Sequence, residues 1–161
     1  MLKISVLCIS DRSAAGERED LSGPLISELL KDIAETVYYE CVPDDIDEIT
    51  GELLYITDNN LASIVLTTGG TGLSPRDVTP EATLRVVEQQ VPGIAEAIRA
   101  NSLKHTPMAM LSRAAAGVRG KTLIINLPGS PKAVRECIEI IRPVLAHAAE
   151  LLTGEQLSCG G

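Results

Sequence analysis

Neither phenylalanine nor tryptophan occurs anywhere in this chain, and three tyrosines are its whole aromatic complement. Bases therefore have almost no rings to stack on, which removes the usual way of holding single-stranded nucleic acid. Positive charge is also scarce: 14 Lys and Arg stand against 22 Asp and Glu, a formal charge of −8 at pH 7. Without a basic field to replace the counterions of a phosphate backbone, DNA and RNA are excluded as partners. No apolar run reaches the ~18 residues of a membrane span. Met1 to Ile9 carries one lysine and then apolar residues, superficially like a signal peptide. Asp11 and Arg12 follow at once with no small-residue cleavage site, so the segment reads as a buried first strand and the chain is expected in the cytoplasm. The four cysteines, Cys8, Cys41, Cys137 and Cys159, form no C-x-x-C pair and have no paired histidine nearby. That spacing gives no zinc site, and free thiols are the expectation. His105 and His147 likewise lack any partner pattern and read as surface or packing residues.

What is present is a globular composition, 45% hydrophobic and 22% charged over 161 residues, which suits one domain with a core of Ile, Leu, Val and Ala. Residues 154–161, ending Cys159-Gly160-Gly161, are expected to form a flexible tail. Strands are predicted at 2–9, 36–42, 62–68 and 123–127, with an edge strand near 114–119. Helices are predicted at 22–34, opened by Ser22, and at 45–58. Thr79 as cap with Pro80 at the first helical position opens a helix to about 90, and Pro92-Gly93 opens another to about 104. A short helix follows Pro107, and Ser130-Pro131 opens a last helix that Pro143 interrupts. Strand and helix alternate throughout, so the fold class is α/β: a single three-layer domain, mostly parallel sheet, with helices on both faces.

Ligands in such sheets bind beyond the carboxyl ends of the strands. Four strand-to-helix loops lie there: Ser10 to Gly16, Pro43-Asp44-Asp45, Gly69 to Pro80, and Asn126 to Lys132. Three glycines in Gly69-Gly70-Thr71-Gly72 allow backbone N–H groups to turn inward as an anion nest, although neither the P-loop nor the dinucleotide pattern is present. Gly129-Ser130 at a helix start, with Lys132 one step inside, suits a phosphate, and equally a routine serine cap. Asp11, Asp44 and Asp77 follow three separate strands, and one or two carboxylates with substrate phosphates commonly hold Mg²⁺. Asp45, beside Asp44, is read as the start of the next helix. An acidic protein that binds anions must gather its cations, so Arg12, Arg76, Arg113 and Lys132 are expected to line one cleft with the glycine nest.

Thr67-Thr68-Gly69-Gly70-Thr71-Gly72 followed by Arg76-Asp77-Val78-Thr79-Pro80-Glu81 resembles the signature of the molybdopterin-binding domain of molybdenum-cofactor biosynthesis proteins. Ile9-Ser10-Asp11-Arg12, Val42-Pro43-Asp44, Leu111-Ser112-Arg113 and Asn126 to Pro131 extend the resemblance over nearly the whole chain. The family includes bacterial MogA and MoaB proteins and domains of animal gephyrin and its plant counterpart; the Ser10-Asp11-Arg12-Ser13 start is more similar to the MogA type. The resemblance implies adenylyl transfer from ATP to molybdopterin, with pyrophosphate released. It implies Asp44 and Asp77 as the catalytic and Mg²⁺-holding acids. Ligand contacts are implied at Ser10, Asp11, Arg12, Gly69, Gly70, Thr71, Gly72, Ser74, Pro75, Arg76, Ser112, Arg113, Pro128, Gly129, Ser130 and Lys132. A homotrimer and a molybdenum insertase partner are implied as well. The alternative within the family is a non-catalytic molybdopterin-binding or scaffold protein.

Overall fold

The computed structural model describes residues 1–155. Strand β1 (Leu2–Ile9) takes its conformation from alternation: Leu2, Ile4 and Val6 face one side of the sheet, Leu7 and Ile9 the other. It pairs in parallel with β2 (Ala34–Val42) and β3 (Ile64–Thr68), and β3 pairs in parallel with β6 (Thr122–Leu127). Beyond β6 the sheet turns antiparallel through β5 (Ala116–Arg119) to β4 (Gln89–Gln90), giving the order β2-β1-β3-β6-β5-β4. The expected strand near 114–119 is therefore internal, and the two-residue β4 is the edge.

Helices cover both faces. On one, α2 (Ser22–Leu30), α5 (Pro92–Ser102) and α6 (Pro131–Thr153) bury Ile26, Leu30, Ile98, Val134, Ile138, Ile141 and Leu145 against the even-numbered side of β1 and β3 and the odd-numbered side of β6. On the other, α3 (Ile46–Asp58) and α4 (Thr79–Val86) bury Ile49, Leu53, Ile56, Ala82 and Val86 against Leu7, Ile9, Val65 and Ile124. Each fully buried aliphatic side chain contributes about 1.5–3 kcal/mol of transfer free energy, which suffices without an aromatic core. A short helix α1 (Asp11–Ala14) and a 3₁₀ turn (Pro107–Leu111) complete the chain. No described helix is long and apolar enough to cross a membrane.

Several boundaries depart from the sequence expectation for identifiable reasons. Ser22 is not the cap of α2. Asp20 Oδ1 accepts from the N–H groups of Ser22 and Gly23 at 3.0 and 3.1 Å, freeing Ser22 Oγ to donate to Gly129 O at 2.7 Å. That helix ends at Leu30, short of 34, because Ala34 is already paired with Leu2. Thr79 is not a cap either: its hydroxyl donates to Gly69 O at 2.9 Å. Helix α4 stops at Val86, since Gln89 and Gln90 join β5. Pro143 does not interrupt α6, whose apolar face stays packed on the sheet on both sides of it, at Ile138 and Ile141 and again at Leu145 and Ala149. Tertiary burial outweighs one lost backbone hydrogen bond. Gly154 ends α6 in the left-handed conformation, and residues 156–161, with Cys159-Gly160-Gly161, lie outside the described residues.

One buried polar junction locks the sheet to α4. Asn126 Nδ2 donates to Thr67 Oγ1 at 3.1 Å and Thr83 Oγ1 at 2.8 Å, while its Oδ1 accepts from Ala115 N–H at 3.1 Å. Replacing Asn126 by Ala leaves that half-buried N–H without its acceptor and the two buried threonine hydroxyls without their donor. Urea denaturation should show Asn126→Ala losing about 1–3 kcal/mol, the cost of a buried unpaired group, and an unchanged midpoint would contradict this.

Candidate active site

The parallel strands point their carboxyl ends one way, so the loops after β1, β2, β3 and β6 meet along one edge, as expected. Two of them are joined reciprocally. Asp11 N–H donates to Asp44 Oδ2 at 3.0 Å, and Asp44 N–H donates to Asp11 Oδ1 at 3.0 Å. The third is drawn in by Arg76, whose Nε and Nη2 reach the two oxygens of Asp11 at 3.0 and 2.8 Å. This fork holds the Asp11 carboxyl below the usual carboxylate range. Its side chains are 62% and 43% exposed, so solvent screens the pair; what it provides is position.

Asp44 titrates in the opposite direction. Burial pushes its carboxyl above the ordinary aspartate value, and the negative charges of Asp11 and Asp77 add to this, while the Asp11 N–H and Arg76 oppose it. Asp45 is the N-cap of α3, its Oδ1 accepting from the N–H groups of Asp47 and Glu48, both at 3.0 Å. The two adjacent acids thus divide their roles: one builds the helix and the other faces the loops.

The glycine loop is threaded through spaces that admit no side chain. Gly69 and Gly70 take φ of +103° and +69°. A Cβ on Gly69 would stand 2.3 Å from Ile9 O, and one on Gly70 would stand 2.3 Å from Thr79 Oγ1 and 3.2 Å from Asp44 Oδ1. A Cβ on Gly72 would stand 2.9 Å from Asp77 Oδ2, which accepts from Ser74 N–H at 3.1 Å. Asp44 and Asp77 therefore flank the loop, and each keeps its Oδ1 without a hydrogen-bond donor among the described residues. Two carboxylates with one uncommitted oxygen apiece suit Mg²⁺, which takes one or two carboxylates and completes its shell with water and phosphate. The N–H groups of Gly70, Thr71, Gly72, Gly129 and Ser130 also have no acceptor among the described residues. Unpaired donors are what an anion nest requires, and these lie next to the N-terminus of α6, where Ser130 Oγ accepts from Ala133 N–H at 3.2 Å.

Two cavities open on this edge. One of about 330 Å³ is bounded by Ser10, Ser13, Arg18, Ser22, Gly69, Gly129 and Ser130. The other, about 380 Å³ and more apolar, lies between the glycine loop and the 3₁₀ turn, walled by Thr71, Gly72, Leu73, Ser112, Pro128 and Cys137. The four cations expected to share one cleft do not line either. Arg76 is committed to Asp11. Arg113 is a brace: Nε donates to Gly72 O and Nη2 to Asp77 O, both at 2.8 Å, and Nη1 pairs with Glu81. Its planar fork is consumed in holding the loop. Arg12 and Lys132 are exposed and make no ion pair among the described residues. Ser74 and Pro75 form the exposed turn ahead of Arg76. Sequence reasoning missed Arg18, the cation on the first cavity, because it lies outside every recognisable motif. It missed Arg99 too, which donates to Ala114 O at 2.8 Å and fixes the Ser112 segment. The Thr79 hydroxyl and Glu81 were visible in the sequence only as helix-start residues.

Residues 5–147 match the model of the probable molybdopterin-binding domain. A molybdopterin adenylyltransferase of Helicobacter pylori (strain ATCC 700392 / 26695) is 45% identical over 159 residues, covering 97% of this chain and 90% of that protein. The molybdenum cofactor synthesis protein cinnamon of Drosophila melanogaster is 43% identical over 98% of this chain, which spans only 26% of that longer protein. Among solved structures, the molybdopterin biosynthesis enzyme MoaB from Thermus thermophilus superposes with a TM-score of 0.90 at 48% identity, covering 96% of this chain and 98% of that one. With the family model spanning most of the chain and relatives of this similarity along nearly its full length, the chain belongs to the molybdopterin-binding domain family of molybdenum-cofactor biosynthesis proteins.

Proposed function

We propose that this protein is a molybdopterin adenylyltransferase: the terminal phosphate of molybdopterin attacks the α-phosphate of ATP, a new P–O bond forms, and pyrophosphate leaves. The observation that carries the reading is the placement of Asp44 and Asp77 on either side of an unpaired N–H nest, each with a free oxygen. The nucleophile is already an anion, so no side chain has to remove a proton from it. The work left to the protein is to hold two polyanions together and offset the charge that builds up between them. The nest and the α6 N-terminus supply fixed donors for phosphate oxygens, and Ser10, Ser22 and Arg18 supply polar contacts on the same cavity. Asp44 and Asp77 would hold Mg²⁺, which supplies charge neutralisation at the transferring phosphate when bound. Arg113 serves by keeping Gly72 and Asp77 in place, and Arg76 by holding Asp11 against Asp44. The more apolar cavity beside Ser112 offers room for a flat ring system, with Arg99 and Arg113 fixing its walls. A homotrimer working in the cytoplasm accompanies this reading, and sedimentation should return three times the chain mass. A molybdenum insertase is the partner that would take up the adenylylated product.

Purified protein given molybdopterin, ATP and Mg²⁺ should release pyrophosphate and adenylylated molybdopterin in equal amounts. Binding of both ligands with no product under any divalent metal would instead make it a binding protein or scaffold. Asp44→Asn and Asp77→Asn should each lower kcat by at least about a hundredfold with little change in molybdopterin affinity, the pattern of an interaction made mainly in the transition state. Asp45→Ala should keep kcat and lose about 0.5–2 kcal/mol of stability, as expected for a helix cap. The reverse pattern at the adjacent acids would place the catalytic oxygen on Asp45.

The glycine loop gives a separate comparison. Gly16 and Gly70 both sit at positive φ, +73° and +69°, but a Cβ on Gly16 meets nothing within 4 Å. Alanine at either position carries the left-handed cost of roughly 1–2 kcal/mol. Only Gly70→Ala adds the clash with the Thr79 hydroxyl, so it should be the more destabilised by urea titration and should also lose ligand affinity. Equal losses at the two positions would show that the loop yields freely.

A further inference from the structure

Cys8 and Cys41 are separated by 33 positions, and their spacing matches no metal-binding pattern. The parallel register of β1 and β2 nevertheless sets them directly opposite each other. On the same side of the sheet, the loop ahead of α2 brings in Asp20. The two Sγ atoms and an Asp20 carboxylate oxygen all lie within 4.8 Å of one another. Cys8 is 4% exposed, yet it and Asp20 both bound the 330 Å³ cavity, which gives an ion a route in.

The surroundings already organise these donors. Asp20 is fixed by the N–H groups of Ser22 and Gly23. Tyr39 Oη donates to Asp20 Oδ2 at 2.6 Å and lies 3.2 Å from Cys41 Sγ, so one hydroxyl bridges two of the three groups. Gly23 has no room for a Cβ, which would stand 2.3 Å from Asp20 Oδ2 and 2.6 Å from the Tyr39 ring. Three strongly or potentially anionic groups thus converge with no Lys or Arg paired to any of them among the described residues.

We propose that Cys8, Asp20 and Cys41 form a site for Zn²⁺ or a cation of the same class, distinct from the Asp44 and Asp77 pair. Sulfur donors select zinc over Mg²⁺ and Ca²⁺, and three protein ligands with water in a fourth position make an accepted tetrahedral set. Zinc–sulfur bonds of about 2.3 Å place tetrahedral sulfurs roughly 3.8 Å apart, a separation within the 4.8 Å that encloses the three donor atoms. Each thiol releases its proton to solvent as its sulfur–metal bond forms, so two protons leave per ion bound. The charge then becomes −1 in place of the −3 of two thiolates and a carboxylate. The bound ion ties the loop carrying Arg18 to two strands of the sheet. The proposal stands whether or not the neighbouring cavity takes part in adenylyl transfer.

Cobalt is the spectroscopic probe. The reduced, chelator-treated full chain, titrated with Co²⁺ without oxygen, should bind one ion and show sulfur-to-cobalt charge transfer with the visible bands of four-coordinate cobalt. Zn²⁺ should bleach both in a one-to-one titration. Asp20→Asn should weaken Zn²⁺ binding by at least about tenfold, Cys41→Ser should remove much of the charge-transfer intensity, and Cys137→Ser should change neither. The wild-type spectrum needs no variant, so a variant that fails to fold leaves the test intact. Absence of the charge-transfer band, its persistence in a folded Cys8→Ser/Cys41→Ser protein, or conversion of this pair to a disulfide in place of metal uptake would each overturn the assignment.

Discussion

Everything at the working edge of this protein depends on Asp11 holding three chain segments at once. Its N–H and one carboxylate oxygen engage Asp44 in a closed pair, and both oxygens receive the Arg76 fork. The loops leaving β1, β2 and β3 are thereby fixed to one another where the strands end. The Arg76 fork adds little to stability because it is exposed, but the arrangement determines where Asp44 stands and which of its oxygens is left free. A second brace, Arg113, does the same for Gly72 and Asp77 from the far side. Arg76 and Arg113, cations that a sequence reader would assign to the ligand, engage the loops of the site themselves.

This division explains how a chain of charge −8 can receive phosphates. Basic side chains do not have to outnumber acids in the crevice. Backbone N–H groups left unpaired by the glycine loop and by the start of α6 provide positive potential without net charge. The acids that would repel an anion are partly neutralised by arginine, or placed where a divalent cation can reach them.

The fold was legible because its signals are local and consistent. The buried apolar runs of β1 and β3, the capped start of α3 and the paired proline starts of α4 and α5 all carry their own mechanism. What misled was tertiary: Pro143 looks like a helix end until its burial partners are known, and Thr79 looks like a cap until Gly69 O is placed beside it. The loops of the site were found through their glycines and acids, which stand next to one another in sequence. Arg18, Arg99 and the pairing of Cys8 with Cys41 were not, because only strand register and loop closure bring them into place.

In the proposed reaction Asp44 acts as the carboxylate, with Asp11 and Arg76 setting its electrostatic surroundings. The acid limb of kcat/KM for adenylyl transfer reads it most directly, measured with the same substrates on wild type and Arg76→Gln. Burial and neighbouring acids raise the Asp44 pKa and Arg76 lowers it, so activity should fall on acidification as the carboxylate takes up its proton. Removing the guanidinium should move that limb to higher pH. A limb that stays in place, or moves to lower pH, would contradict the account.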